Sequence, residues 1–393
     1  MKVVLAYSGG LDTSVAIKWL QDKGYDVVTF TAELGQDEDL AAIKNKAKSL
    51  GAKAYTMDLK DEFVENYVLP AIKANAVYEG SYPLATALAR PLIAKYLVEI
   101  AEKENAEFVS HGCTGKGNDK VRFDVTINSL NENLKILSPV VEWGMSREQE
   151  IEYARQHGIE VPVTRSSPYS IDQNLWGRSA ECGILEKPDV EPPEDAFGWT
   201  TSPQEAPDKP EYIDVGFESG IPVSLNGDDM GAVELIENLN KTAGKHGVGR
   251  IDHVEDRVVG LKSREIYEAP AAVSLITAHS DLQKYVCTSR ENLFRPQIEN
   301  EWSYLVYAGL WMDPLRRSLD MFINGVNEAV TGSVRLKLYK GSVRVAGRKS
   351  DYALYDLNLA TYDKGDIFNQ GASEGFIELW GLQSRMVNRV RKI

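Results

Sequence analysis

Cysteine is scarce in this chain: three among 393 residues, Cys113, Cys182 and Cys287. They stand far apart and form no C-x-x-C pair, which argues against a zinc ribbon and against a disulfide scaffold. No run of about 18 apolar residues occurs, so no membrane span is expected. The opening MKVVLAYSGG lacks the long apolar stretch and cleavage site of a signal peptide, and the expected address is cytoplasmic. Basic residues are in deficit, with 44 Lys and Arg against 58 Asp and Glu, a net charge of −14. Nucleic-acid binders usually carry a basic excess, so nucleic acid is not an expected partner. The same deficit means that a site for anions must supply its own local positive potential. Internal repeats and low-complexity tracts are missing too.

What is there is an ordinary globular balance, 43 % apolar and 26 % charged, long enough for two or three domains. The first 160 residues alternate strand and helix. Apolar, β-branched runs predict strands at 2–7, 26–34, 52–59, 107–112 and 134–140. Helical spacing predicts helices at 12–24, 37–51, 62–76, 84–105 and 146–158, several of them closed by glycine. Ser146 with Gln149 three residues on is a capping-box pattern. Repeated βα units imply a parallel, doubly wound α/β sheet covered on both faces, with ligands at the carboxyl ends of its strands.

The pattern changes near Val163. Six prolines fall within 186–213, a surface excursion for which Phe197 and Trp199 offer anchors. Strand signals follow at 212–220 and 221–227, then a helix at 232–244. SVRLKLYKGSVRVAGRKS reads as a hairpin turning at KG. The last residues space Phe376, Leu379, Trp380, Met386, Val387 and Val390 along one helical stripe, with Arg385, Arg389, Arg391 and Lys392 near its end. That stripe packs on its own domain or reaches another subunit. The domains expected are 1–165, 166–363 and 364–393.

The densest motif is AYSGGLDTS, directly after the first strand. It is neither G-x-x-x-x-G-K-[ST] nor G-x-G-x-x-G. It has the parts of an anion nest all the same: Gly9 and Gly10 for close backbone approach, hydroxyls from Ser8, Thr13 and Ser14, and a helix start whose free N–H groups face the ligand. Asp12 is the oddity, since a carboxylate repels phosphate. It makes sense as a helix cap or as a magnesium ligand shared with phosphates. The plain alternative is a Gly-rich βα turn with a Ser/Asp cap.

S-G-G-x-D-[ST]-S in this place resembles the pyrophosphate loop of the N-type ATP pyrophosphatases. Four further stretches resemble the argininosuccinate synthase family among them, in order along nearly the whole chain: YEGSYPLATALARPLI, SHGCTGKGNDKVRFD, PYSIDQNLWGRSAECGILE and HGVGRIDHVEDRVVGLKSREIYEAP. The resemblance implies an adenine nucleotide alpha hydrolase-like sheet followed by an α+β synthetase and multimerisation domain with a C-terminal helix. It implies ATP with Mg2+, and ligation of L-citrulline to L-aspartate through a citrullyl-adenylate, with release of AMP and pyrophosphate. It also implies a homotetramer.

Carried onto matching positions, Ala6, Tyr7, Ser8, Gly9, Gly10, Leu11, Asp12, Thr13, Ser14, Ala32 and Gly112 would contact ATP. Tyr82, Thr86, Asn118, Arg122, Ser170, Ser179, Glu255 and Tyr267 would bind citrulline. Thr114, Asn118 and Asp119 would bind aspartate. Asp12, Asn118 and Arg122 are the candidates for catalysis, and Asp12 for the metal. The residue types agree. TGKGND can hold a zwitterion, with Thr114 and Lys116 for carboxylates and Asp119 for an ammonium, and Arg122 can clamp a carboxylate. Glu255 and Tyr267 suit a cationic or amide-like head group. Alone, they read as a surface Glu and a half-buried Tyr, and Ser170 and Ser179 as loop serines.

Two departures stand out: Ala87 where many relatives have Ser, and Lys120 where Gln is usual. Cys113 reads as packing, with no base beside it in sequence. Two other functions compete, another adenylylating ligase of the same loop family and a nucleotide sensor without catalysis. The first would want a basic face, catalytic cysteines or a glutaminase segment, none of which is evident.

Overall fold

The computed structural model describes residues 1–160, 169–363 and 367–391. The expected junction at 165/166 and Lys392 lie outside them. The chain forms two compact units, Met1–Tyr352 and Ala353–Ile393.

In the first unit, β1 (Lys2–Ala6), β2 (Asp26–Glu33), β3 (Lys53–Asp58), β4 (Phe108–Ser110) and β5 (Lys135–Leu137) form one parallel sheet in the order β3-β2-β1-β4-β5. Val3, Val4 and Leu5 are fully buried, as a central strand covered on both faces requires. Successive side chains point to opposite faces. Val3 and Leu5 pack with Ile17, Leu20 and Ala154 of the helices Leu11–Asp22 and Arg147–Gln156. Val4, Val28 and Phe30 share the other core with Leu88 and Leu92 of the helix Ala85–Lys103. The sheet is doubly wound, and its order reverses between β1 and β4. The crevice at the carboxyl ends of those two strands is where such sheets hold ligands.

The capping box at Ser146 forms, with Gln149 bonded in both directions. The helix expected at 62–76 is three joined pieces, Lys60–Phe63, a wider π-helical turn Val64–Val68, and Leu69–Lys73. Pro70, which has no N–H to give, is the second residue after the wide turn. Several helices have no counterpart in the sequence reading, among them Asn118–Leu130, which starts inside TGKGND, and Pro139–Trp143.

Two antiparallel sheets and the helices Ala232–Lys245, Pro270–Val286, Ser289–Tyr307 and Pro314–Asn327 follow in the first unit. β6 (Ser170–Asn174), β7 (Gly177–Glu181), β11 (Arg250–Asp256) and β12 (Lys262–Glu268) pair in the order β11-β12-β7-β6. β8 (Glu211–Glu218), β9 (Ile221–Leu225), β10 (Asp228–Asp229), β13 (Gly332–Tyr339) and β14 (Ser342–Lys349) pair in the order β10-β9-β8-β13-β14. The β13–β14 hairpin turns at Lys340 and Gly341, both at positive φ (43° and 81°), the combination that matches strand twist. The β6–β7 hairpin lies where the sequence suggested irregular chain. It is pinned by Trp176, fully buried, whose Nε1 donates to Pro83 O at 2.8 Å.

The proline-rich excursion is held less by its two rings than by one carboxylate. Glu268, at the end of β12, accepts the backbone N–H of Gly198, Trp199 and Thr200 at 2.8–2.9 Å and the Thr200 hydroxyl at 2.7 Å. Phe197 lies under Arg250, 3.9 Å from its guanidinium.

The second unit carries the helices Leu357–Ala360, Gln370–Trp380 and Leu382–Arg391. The terminal stripe is split at Gly381, and Phe376, Leu379, Trp380 and Val390 on it are exposed.

Candidate active site

The turn after β1 is built on Gly9 at φ +80°, a conformation that disfavours side chains; a Cβ there would also lie 3.0 Å from Ile43 Cγ1. Gly10 caps the helix Leu11–Asp22 with no side-chain bond, so the first-turn N–H groups have no cap to accept them. Ser8 Oγ reaches Thr13 Oγ1 (3.2 Å), and Tyr7 Oη reaches Ser14 Oγ (3.1 Å). The loop is polar, donor-rich and internally braced. The β4 loop touches it, since a Cβ on Gly112 would lie 3.0 Å from Thr13 Cγ2. Ala32 ends the β2 side, one residue from Thr31, whose hydroxyl donates to Tyr7 O at 2.7 Å. The eleven residues of the expected nucleotide set thus gather at the carboxyl ends of β1, β2 and β4.

Lys46, from the helix Leu40–Ser49, donates to Gly9 O at 2.7 Å. Burial lowers its affinity for a proton, with Glu160 opposing. It brings a positive charge to a loop that lacks the Walker lysine. Asp12, in the first helical turn, accepts from Arg147 Nη1 at 2.9 Å. Behind it Glu150 is pushed up to about 7, first by burial and then by the Asp12 carboxylate.

The second cluster starts where the β4 loop becomes a helix. Asn118 and Arg122 lie one turn apart and face the same way. Asn118 Nδ2 donates to Tyr307 Oη at 2.8 Å and faces Glu255 Oε1 at 3.4 Å; its Oδ1 accepts the Val258 N–H at 2.9 Å. Arg122 is buried. It donates to Tyr307 O (3.0 Å), Thr86 Oγ1 (3.3 Å) and Asp119 Oδ1 (2.8 Å), and its Nη2 has no partner among the described residues. Burial would raise the Asp119 carboxyl, but Arg90 and Arg122 outweigh it and hold it below its ordinary value. Arg90 donates twice to Asp119 Oδ2 and also pairs with Asp172.

Tyrosines wall the pocket. Tyr82 stacks on Tyr267 with centroids 4.1 Å apart, Tyr78 stacks on Tyr307 at 3.4 Å, and Tyr82 meets Tyr307 edge-on. Tyr82 Oη bonds Thr86 Oγ1 at 2.7 Å, and burial pushes its hydroxyl up to about 12. Glu255, buried, receives Tyr267 Oη and Tyr307 Oη, each at 2.7 Å. Ser179 pairs with Tyr267 across β7 and β12. Tyr82, Thr86, Asn118, Asp119, Arg122, Ser179, Glu255 and Tyr267 therefore come together. Thr114 stays exposed at the head of the β4 loop, and Ser170, exposed, pairs with Glu181 across the hairpin.

The chain matches the family model described as Arginosuccinate synthase N-terminal HUP domain over residues 2–160, and that of the Arginosuccinate synthase C-terminal domain over residues 169–387. It is 57 % identical over 391 residues to Argininosuccinate synthase of Oceanobacillus iheyensis, covering 99 % of this chain and 94 % of that protein. The enzyme of that name from Bacillus thuringiensis strain Al Hakam is 55 % identical over 392 residues (100 % and 98 % covered), and that of Pyrococcus furiosus 57 % over 386 residues (98 % and 93 %). This chain belongs to the argininosuccinate synthase family.

Both departures from the argininosuccinate synthase motifs find local explanations. Ala87 is buried in the apolar core, and Thr86 beside it is the residue that presents a hydroxyl to the pocket. Lys120 donates to Asp124 Oδ2 (2.5 Å) and Ser138 Oγ (2.9 Å), tying its helix to the end of β5. The reading of Cys113 needs correction on one point: a base is beside it. His111 Nδ1 accepts the Cys113 N–H at 3.3 Å, while Nε2 faces Asp124 Oδ1 at 2.8 Å.

Sequence reasoning also missed Tyr307, Arg90, Lys46, Arg257 and Glu265. Tyr307 sits beyond the quoted motifs, as the last residue of the helix Ser289–Tyr307, where it ends an apolar Leu-Val-Tyr run that reads as core. Lys46 is one of three lysines on its helix, and only its place beside buried Ala47 and near Ile43 distinguishes it. Arg257 and Glu265 do lie in a quoted motif, with nothing local to single them out.

Proposed function

We propose that this chain joins L-citrulline to L-aspartate at the expense of ATP, forming argininosuccinate, AMP and pyrophosphate in arginine biosynthesis in the cytoplasm. The observation that supports it most is that one loop, residues 111–117, touches the anion nest at Gly112 and leads within six residues to the buried Asn118–Arg122 turn. A nucleotide held at the first would present its α-phosphorus toward groups bound at the second.

In this reading the ureido oxygen of citrulline attacks the α-phosphorus and pyrophosphate leaves. The α-amino group of aspartate then attacks the activated carbon, and AMP leaves. The chain contributes mainly position and charge. The residues 6–14 and Lys46 hold the departing pyrophosphate. Arg122, with its unpaired Nη2, and the Tyr82–Thr86 hydroxyls hold citrulline from one side, and Glu255 with Tyr267 from the other. Asp119, Asn118 and Thr114 orient aspartate.

Magnesium binds one or two carboxylates together with phosphate oxygens. Asp12, partly exposed in the loop's first helical turn, fits that donor type. Among the described residues no cluster of three or more His, Cys, Asp or Glu could hold a metal alone, which suits an ion shared with phosphates. Such an ion would add positive charge at the leaving pyrophosphate.

Incubation with ATP, citrulline and labelled aspartate tests the whole reading. AMP and pyrophosphate that appear only with both amino acids support it; nucleotide binding without release overturns it in favour of a sensor. In the same assay Asp12→Asn should lower turnover and raise the magnesium concentration needed. Unchanged turnover with unchanged magnesium dependence removes Asp12 from the metal.

We further propose that the second unit holds a homotetramer together. Support comes from its exposed apolar side chains, among them Phe376, Leu379, Trp380 and Val390, more apolar surface than a free helix pair usually leaves to water. A chain ending at Tyr352 should sediment as a smaller species than the full chain. The same assembly in both would refute the assignment.

A further inference from the structure

Tyr267 has one hydroxyl hydrogen and faces two glutamates. Its Oη lies 2.7 Å from Glu255 Oε2 and 2.9 Å from Glu265 Oε2. A hydroxyl donates once, so the second oxygen must carry a hydrogen of its own or meet the phenol lone pair against lone pair. Glu255 is surrounded by donors, as a carboxylate should be: Tyr267 on Oε2, and Tyr307 (2.7 Å) with Asn118 (3.4 Å) on Oε1. On Glu265, Oε1 faces Arg257 Nη2 at 3.0 Å. That leaves Glu265 Oε2 as the oxygen that donates to Tyr267, which in turn donates to Glu255.

We infer that the Glu255–Glu265 pair holds one proton, seated on Glu265, and that an amino acid whose ammonium binds against Glu255 expels it to solvent. The inference rests on the function proposed above, in which citrulline is that amino acid. Glu265 is a positioning residue, acting on the ligand through Tyr267 and Glu255.

The surroundings agree. Burial pushes the Glu265 carboxyl up to about 7; Glu255 and Glu181 add to the shift and Arg257 opposes it. Arg257 is divided between Glu265 and Glu181, which it meets at 2.6 Å. The other charged or titratable groups around the pair are His253, opposite Glu265 across β11 and β12, Arg122 near Tyr307, and the phenols of Tyr82 and Tyr307. With no ammonium bound, a second ionised carboxylate would face Glu255 with only a share of Arg257, which also pairs with Glu181, to oppose it. A bound ammonium supplies the missing positive charge and makes it favourable.

The sign follows from linkage. Glu265 carries its proton below about 7 in the free protein and must lose it when citrulline binds, so affinity falls as pH falls. Titration calorimetry with L-citrulline alone, at pH 7 in phosphate and in Tris, should show release of about half a proton per site. The dissociation constant should be about tenfold larger at pH 6 than at pH 8. Glu265→Gln mimics the protonated acid. It should bind citrulline more weakly, with no proton release and a flat pH profile, while His253→Gln keeps the slope. The same release from Glu265→Gln, or citrulline bound by the natural protein with no proton exchanged, overturns the inference alone. A natural protein that binds no citrulline overturns the proposed function, and this inference with it.

Discussion

Arg122→Ala lowers kcat/KM for citrulline and for aspartate by about 30- to 5,000-fold, the equivalent of about 2–5 kcal/mol for truncating a buried, hydrogen-bonded charge. Arg122 is 3 % exposed and spends three of its N–H groups on Asp119, Thr86 and the Tyr307 carbonyl. Its Nη2 is buried and has no partner among the described residues. A buried charged donor without an acceptor is costly, and a ligand carboxylate would remove that cost. Alanine removes the donor and leaves Asp119 to Arg90 alone. It also strips the cation from the Tyr307 ring, 5.0 Å away. Lysine keeps the charge without the planar fork, so Arg122→Lys should recover only part of the loss. Nucleotide affinity should change little in either variant, because the nest at residues 6–14 is braced by its own hydroxyls and Lys46. Circular dichroism and a thermal melt separate a lost contact from a lost fold. A kcat/KM for both amino acids within threefold of the natural protein, with the fold intact, would remove Arg122 from the site.

The parallel-sheet half of the fold was legible because its burial is simple. Val3, Val4 and Leu5 are apolar on both faces, and Gly24 and Gly51 stop helices at positive φ. The helix that carries Thr86 and Arg90 was legible too, but three other elements around the pocket were not, for one shared reason. The helix Asn118–Leu130 buries Asn118, Arg122, Phe123, Thr126 and Ile127, so three of the five places on its inner face are polar. The strands β6 and β7 carry Ser170, Asp172, Gln173, Arg178 and Ser179, with little apolar alternation to mark them. Where a face turns toward a polar pocket, its residues serve the ligand, and the hydrophobic period that betrays a helix or strand is lost. The motifs named those residues without revealing the elements that hold them. The local positive charge that a chain of net −14 required is there: Arg90, Arg122 and Arg257 around the pocket, Lys46 and Arg147 at the nest. Only Arg122 was visible beforehand. The others come from chain distant in sequence, such as Arg257, which spans from Glu181 and Glu265 to the Lys116 carbonyl.

Glu268→Ala destabilises the first unit by about 3–5 kcal/mol, the usual cost of breaking a buried ion pair on one side. Glu268 is wholly buried. It meets Arg178 Nη1 at 2.6 Å and takes four further hydrogen bonds from residues 198–200. Its loss leaves a buried guanidinium and three backbone N–H groups without an acceptor. The proline-rich segment loses its anchor with them, so proteolysis within 186–210 should accelerate. Activity should fall as well, because Glu268 opposite Arg178 is next in register to Tyr267 opposite Ser179. Glu268→Gln fills the same volume but offers an amide N–H2 where only donors converge, and it should recover little. Arg178→Met alone leaves Glu268 with its four other donors and should cost less than Glu268→Ala. Combined, the two substitutions should destabilise less than their sum, because no unpaired charge remains. Urea unfolding of the four proteins measures the coupling. Strict additivity would mean that Glu268 acts through the excursion's backbone alone and that its pairing with Arg178 contributes nothing.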